Sequence, residues 1–304
     1  MFIFVLKKII AVILSAFMLV LSFSAAPEKH EAKNPNELKS TFTVLSDAHI
    51  EGLDVEFTFI DTYKVFAKIL RDAKAMDSGN DAIVFLGDNT MNGQDIENML
   101  FFGGLNNINP AEEIIVAPGN HDISNGEGSY SEYLSRFLGY NNIFFSDGLT
   151  TPYFCKIVDG NYFIILSTEE TTVDYMYITD EQIEWLKGLL EQAEEDGAPI
   201  FVMCHYPVNY LQDRDTDELS EILNDYDNLL YFCGHTHFEY SEHSVYEYNG
   251  VNCINLPRST EWKTEGYDTG IGAQVEVYED EVLVRIRDFY DSIWLDEFSY
   301  PIEK

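Results

Sequence analysis

Through most of this chain, short apolar runs alternate with stripes of helical spacing. Thr41–Ser46 reads as a strand. Phe59, Tyr63, Phe66, Leu70 and Ala73 recur every three or four positions, the apolar face of a helix. Ala82–Leu86 and Ile114–Ala117 are buried-strand runs; Ile96–Phe101 and Tyr133–Leu138 predict short helices. Asp159-Gly160 joins Phe154–Val158 to Tyr162–Ser167 as a hairpin. Thr179 and Gln182 form a capping box ahead of a helix that carries Ile183, Leu186, Leu190 and Ala193 on one face. Ile200–Cys204 and Leu229–Cys233 are further buried strands. From Val245 the pattern is all strand: Val245–Tyr248 and Val251–Leu256 around an Asn249-Gly250 turn, then Gln274–Tyr278 and Val282–Phe289. Strand–helix alternation followed by hairpins predicts an α/β domain of two packed mixed sheets with helices outside, spanning residues 40–304.

The N-terminus has a different pattern. Lys7 and Lys8 precede an almost wholly apolar run, Ile9 to Phe23, and Ser22, Ser24, Ala25 and Ala26 supply small residues after it. This predicts a signal peptide over residues 1–26. An uncleaved anchor is the alternative, because the run approaches the ~18 residues at which membrane spans begin. Pro27 disfavours cutting after Ala26, so cleavage is expected after Ser24. Both readings export the domain to the cell surface or beyond, with membrane contact confined to this segment. Pro27–Lys39 is polar and charged, as a tether would be.

Composition narrows the function. Hydrophobic residues make up 46% of 304, ample for a core, while 18 Lys+Arg against 53 Asp+Glu leave a net charge of −35. Such a surface repels phosphate backbones, so nucleic acid is not expected as a partner. The four cysteines, Cys155, Cys204, Cys233 and Cys253, all fall inside apolar strand runs without CxxC spacing. They read as buried free thiols, not a zinc site.

The candidate chemistry lies at strand ends. Thr41–Ser46 runs into Asp47-Ala48-His49, Ala82–Leu86 into Gly87-Asp88-Asn89, and Ile114–Ala117 through Pro118 into Gly119-Asn120-His121-Asp122. Ile200–Cys204 ends in His205-Tyr206-Pro207, and Leu229–Cys233 in Gly234-His235-Thr236-His237. In open α/β sheets this edge binds ligands. Singly, each segment is ordinary turn chemistry. Together they hold five of the chain's seven histidines, leaving only His30 and His243 outside. No purely structural account concentrates histidines there.

In this order, D-x-H, G-D, G-N-H-D, H-x-P and G-H-x-H resemble the calcineurin-like dinuclear metallophosphoesterases, over roughly Thr41 to Leu256. The resemblance implies a double β-sheet sandwich flanked by helices. It assigns Asp47, His49 and His237 to one metal and Asn120, His205 and His235 to a second, with Asp88 bridging. It makes His121 the residue that contacts the phosphate and protonates the leaving oxygen, and Asp122 the residue that orients His121. Mixed imidazole and oxygen ligands suit Mn, Fe or Zn, as divalent or trivalent ions. Two such ions would clamp the phosphate and activate a water. The expected activity is hydrolysis of a small phosphodiester or phosphomonoester. An extracellular nuclease and an inactive metal-stabilised binding module are the alternatives.

Two departures stand out. Met91 occupies a position where many relatives carry an acidic residue. Asn255-Leu256-Pro257-Arg258-Ser259 replaces a common glycine-serine loop, and places Arg258, a candidate for gripping phosphate or a substrate carboxylate, near the motifs. Tyr130, Tyr175 and Tyr210 are candidate pocket residues that nothing in the sequence singles out.

Overall fold

The computed structural model describes residues 2–22, 26–52, 58–76, 79–123, 128–260 and 269–302. In chain order the elements are α1 (Phe2–Leu21), β1 (Ser40–Leu45), α2 (Thr58–Ala73), β2 (Ala82–Phe85), α3 (Asp95–Ile108), β3 (Glu113–Val116), α4 (Asn120–Ile123) and α5 (Tyr130–Phe145). Then follow β4 (Phe154–Val158), β5 (Asn161–Leu166), α6 (Asp180–Glu195), β6 (Ile200–Cys204), α7 (Glu218–Leu223) and β7 (Leu229–Cys233). The last five are β8 (Val245–Tyr248), β9 (Val251–Asn255), β10 (Ile271–Val277), β11 (Glu281–Asp288) and β12 (Ile293–Pro301).

The strands form two six-stranded sheets, ordered β12-β11-β10-β1-β2-β3 and β4-β5-β6-β7-β9-β8. In the first, β1, β2 and β3 are parallel, with Val44 opposite Val84 and Ile83 opposite Ile114. In the second, β5, β6, β7 and β9 are parallel. Successive side chains on a strand face opposite ways, and the burial follows. Phe42, Val44, Val84 and Ile115 point between the sheets toward Phe163, Phe201 and Phe232. Leu45, Ile83, Phe85 and Val116 point to the layer of α1, α2, α3 and α5. Phe42 packs edge-on against Phe163 and Phe201 at 4.8 and 4.7 Å between ring centres. Each such fully buried side chain contributes about 1.5–3 kcal/mol. On the far side, α6 sets Ile183, Leu186, Leu190 and Ala193 against the second sheet. The architecture is the expected sandwich of two mixed sheets flanked by helices.

Several elements differ from the sequence reading. The helix expected at Ile96–Phe101 extends to Ile108. Gly103 and Gly104 hid its second half: both sit where a Cβ would collide, Gly103 with Ala11 and Ser15 of α1, Gly104 with Phe66 and Tyr63 of α2. The expected Tyr133–Leu138 helix runs from Tyr130 to Phe145. Strand β12 was not anticipated, because Ile293–Pro301 is an edge strand of mixed burial with Asp296 and Glu297 in it. The capping box at α6 forms by half. Thr179 accepts from the Gln182 amide, but the Gln182 side chain turns to Ser167 and Glu169.

The Pro27–Lys39 segment is not a loose tether. His30 is buried, its Nε2 2.9 Å from the Asp72 carbonyl and its ring edge-on to Trp294. The Lys33 and Asn34 amides donate to Glu276 and Tyr278. The expected cleavage point at Ser24 lies outside the described residues. Helix α1 rests on α2, α3 and α5 through Ala11, Ser15 and Met18, and Lys7 pairs with Asp95. Its opposite face, with Val5, Ile9, Ile13, Phe17 and Val20, is exposed and apolar. Beside it lies a groove of about 850 Å³ lined by Ile9, Leu134, Leu138 and Ile143. Among the described residues, no helix is long and apolar enough to cross a membrane. All four cysteines are free thiols, as expected, and burial pushes Cys204 up to about 11 and Cys155 and Cys253 to about 12.

Candidate metal centre

The parallel strands of the two sheets bring their C-terminal ends to one edge, and every expected site segment arrives there. Backbone hydrogen bonds continue past the strands: Asp47 N to Gly87 O at 3.0 Å, His49 N to Asp88 O at 2.8 Å, and Gly234 N to His205 O at 3.0 Å. Main-chain amides also cross between the sheets. The His235 amide donates to Asp47 Oδ2 at 3.1 Å, and the Ser259 amide to Ser46 O at 3.1 Å. The chain turns sharply to do this. Asp47, His49, Asp88, His235 and His237 all have positive φ, between 37° and 70°. A non-glycine residue there costs on the order of 1–3 kcal/mol and persists only where its surroundings fix it. Gly119 and Gly234 explain two of the motif glycines. A Cβ on Gly119 would strike Asp88, and one on Gly234 would strike Ser46 and Asp47.

The side chains form two adjoining donor sets. In the first, atoms of Asp47, His49, Asp88 and His237 all lie within 4.8 Å of one another. His237 Nε2 is 2.9 Å from Asp47 Oδ1 and 2.9 Å from His49 Nε2. In the second, His205 Nε2 is 3.1 Å from Asn120 Oδ1 and 3.2 Å from His235 Nδ1. Asp88 Oδ2 belongs to both, 3.6 Å from His49 Nε2 and 3.3 Å from His205 Nε2. All seven expected ligands therefore converge, five of them buried.

A match to the calcineurin-like phosphoesterase family spans residues 40–239. The chain belongs to that family. A relative from Rhodococcus erythropolis, described as a "probable cyclic nucleotide phosphodiesterase", is 26% identical over 211 residues, 64% of this chain. The aligned region spans 64% of that relative's own length. A dimetal phosphatase from Danio rerio is similar in fold, with 15% identity, coverage of 88% of this chain and 100% of that one, and a TM-score of 0.59. Purple acid phosphatase from yellow lupin, Lupinus luteus, has 14% identity, coverage of 86% and 53%, and a TM-score of 0.60.

The donor set of this calcineurin-like phosphoesterase suits transition metals: imidazole nitrogens, two carboxylates and an amide oxygen. Its electrostatics ask for a cation. Burial opposes ionisation of Asp47 and Asp88, yet His205 and the other histidines hold Asp47 well below the usual range and Asp88 at about 2. Burial alone would lower His205, but Asp88 and Asp47 raise it to about 9. Burial and the His205 charge press His235 down to about 4. The two buried carboxylates thus favour positive charge beside them.

His121 lies at the rim, its Nε2 3.9 Å from Asp88 Oδ2 and its ring edge-on to His49. The expectation that Asp122 orients its ring is corrected. His121 Nδ1 sits 2.6 Å from the Met91 carbonyl. A carbonyl only accepts, so Nδ1 carries the hydrogen and Nε2 faces the site. Asp122 is buried and receives five hydrogen bonds, from the amide and side chain of Asn89, the amide and hydroxyl of Thr90, and the Gly119 amide. It fastens the Asp88 turn to the Asn120 turn, and burial with the Asp88 charge raises it to about 6. Met91 thus contributes through its main chain, a role that leaves no trace in residue type. Arg258 is held next to Asp47 and His49 by the Ser259 link and by the Thr260 hydroxyl on Ala48 O, and its charge depresses His49 after burial has done so.

Proposed function

We propose that this chain is an exported phosphoesterase that hydrolyses a small phosphodiester or phosphomonoester at a dinuclear transition-metal centre. The observation that carries the reading is Asp88 Oδ2 placed between His49 Nε2 and His205 Nε2, one oxygen common to two donor sets. Asp47, His49 and His237 would hold one ion, Asn120, His205 and His235 the other, with Asp88 shared. Bound there, the pair supplies an activated water and charge neutralisation of the phosphoryl oxygens.

The chain's own residues do the rest. His121, with Nδ1 fixed by Met91 O, directs Nε2 to the leaving oxygen and delivers a proton. Asp122 keeps the two ligand-bearing turns in register. Arg258 grips a substrate oxygen at the His49 side. The resemblance of Lys7, Lys8 and the apolar run to an export signal, with the apolar outer face of α1, supports a location outside the cytoplasm.

The test is hydrolysis of bis(4-nitrophenyl) phosphate and 4-nitrophenyl phosphate by protein stripped with chelator and reloaded with Mn, Zn or Fe. Metal-restored turnover is expected. Protein that holds two ions per chain and hydrolyses neither ester would instead be a binding module. Cell fractionation with N-terminal sequencing decides export, and full-length chain in the cytosol would sink that part.

A further inference from the structure

Two loops meet beside His235. Residues 168–179 follow β5 and residues 205–212 follow β6. They are joined by Met176 N to Tyr210 O at 2.8 Å and Gln212 N to Met176 O at 2.9 Å. The main chain of Asp174 hydrogen-bonds to His235. The next residue, Tyr175, is 49% exposed and its ring lies 5.5 Å from that of Tyr210. Tyr210 stands edge-on to His235 at 6.0 Å, and buried Tyr206 backs the same imidazole at 4.7 Å. Aromatic surface therefore runs from a candidate ligand straight out to solvent.

Charge there is of the opposite kind. The two loops and the turn after them carry Glu169, Glu170, Asp174, Asp213 and Asp215. Their one arginine, Arg214, is committed to Asp180 and Glu218. A ligand reaching this side gains nothing from further phosphates and much from a flat ring. Stacking of a base on an aromatic side chain is worth about 1–3 kcal/mol.

We infer that Tyr175 and Tyr210 form a shelf that stacks the planar ring of a singly charged phosphodiester, carried on the alcohol that is retained when the other leaves. The ring is a nucleobase or an aryl group, and the inference rests on the phosphodiesterase reading of the adjacent site. Exposure of Tyr175 then follows from use, and the shelf sets preference among esters, leaving the hydrolytic step to the metal-site residues.

The experiment holds the leaving group constant. Metal-loaded protein is given methyl, phenyl and thymidine-5′ esters of 4-nitrophenyl phosphate, and kcat/KM is compared between them. Wild type should favour the phenyl and thymidine esters over methyl. In a Tyr175→Ala/Tyr210→Ala variant the preference should collapse about 5- to 100-fold toward unity, chiefly through KM. Tyr175→Phe/Tyr210→Phe should keep it. A ratio does not depend on the fraction of variant that folds. Equal use of all three esters by wild type, or a preference that survives the double alanine, overturns the shelf. Preference for phenyl over thymidine assigns it to aryl esters, and the reverse to nucleosides. If wild type hydrolyses none, the phosphodiesterase reading fails. Calorimetry with methyl phenyl phosphate against dimethyl phosphate then tests the shelf alone, and equal affinities reject it.

Discussion

Two buried clusters of charge in this molecule solve the same problem in opposite ways. At the strand-end site, Asp47 and Asp88 are at most 1% exposed, and their ion-pair partners among the described residues are all histidines. At the far side of the first sheet, Asp72 and Glu276 are as deeply buried. Each of these has an arginine: Arg287 Nε is 2.7 Å from Asp72 and Arg285 2.7 Å from Glu276, with Trp294 over both guanidiniums. An arginine is always charged and cannot leave. A histidine can give up its proton to make room for another cation. The pairing residue therefore separates a carboxylate built to hold the fold from one built to hold something exchangeable. The same contrast shows in the histidines. Carboxylates raise His205, whereas burial with the Arg287 charge lowers His30.

The comparison breaks most visibly at Asp88. Asp88→Ala should lose both ions and more than about 10⁴-fold in rate, beyond what one acid–base group contributes. Elemental analysis of the purified variant measures it. His237→Ala should weaken one set only. Two ions retained in Asp88→Ala would show that its oxygen is not shared.

Next comes His121, which the geometry puts beside the ligands rather than among them. His121→Ala should lose ~10²–10⁴-fold on alkyl esters, whose leaving alkoxide needs a proton, and far less on nitrophenyl esters. Metal content should stay at the wild-type value. Equal losses on both esters would reduce His121 to a phosphate contact.

At the other cluster the loss should be of fold, with metal untouched. Arg287→Met leaves Asp72 buried without its guanidinium, a change of about 3–5 kcal/mol. Thermal and urea unfolding read it. Asp72→Leu combined with Arg287→Met should recover much of the loss. Metal lost in proportion to stability would mean that the two clusters are coupled, not separate.

How much of this contrast could be read in the chain depends on what carries it. The metal-type residues were visible because each follows an apolar strand run, and parallel strands deliver their ends to one edge. The Asp72–Arg287 pair was not, since it joins a helix to β11 and nothing local marks either residue. Gly103 and Gly104 interrupt the helical pattern of α3 in the sequence, yet in the fold they serve close packing and not termination. Main-chain roles, such as the Met91 carbonyl on His121, are beyond residue type altogether. The sequence offers Tyr175, Tyr210 and Tyr130 alike; ring geometry picks out the first two, while Tyr130 spends its hydroxyl on Thr168 O.

The smallest effect is the pH response of His30, and it sharpens the contrast in sign. Burial lowers its pKa from 6.5; the Asp72 carbonyl opposes this, and the Arg287 charge reinforces it. Folded protein thus binds the His30 proton less readily than the unfolded chain. Above the unfolded value near 6.5, both states carry neutral His30 and its packing under Trp294 is fully stabilising. As pH falls, the unfolded chain takes up the proton first, and stability is lost until the folded value is passed. His30→Gln keeps a donor for Asp72 O and cannot titrate. Unfolding free energies of wild type and variant, measured from pH 7.5 to 4.5 at one ionic strength, should therefore show wild type losing stability faster than the variant as pH falls. Parallel curves would mean that His30 holds its proton equally tightly in both states. A wild type that falls more slowly than the variant toward acid would mean that Asp72 outweighs burial and the two arginines, and that this cluster behaves like the metal site after all.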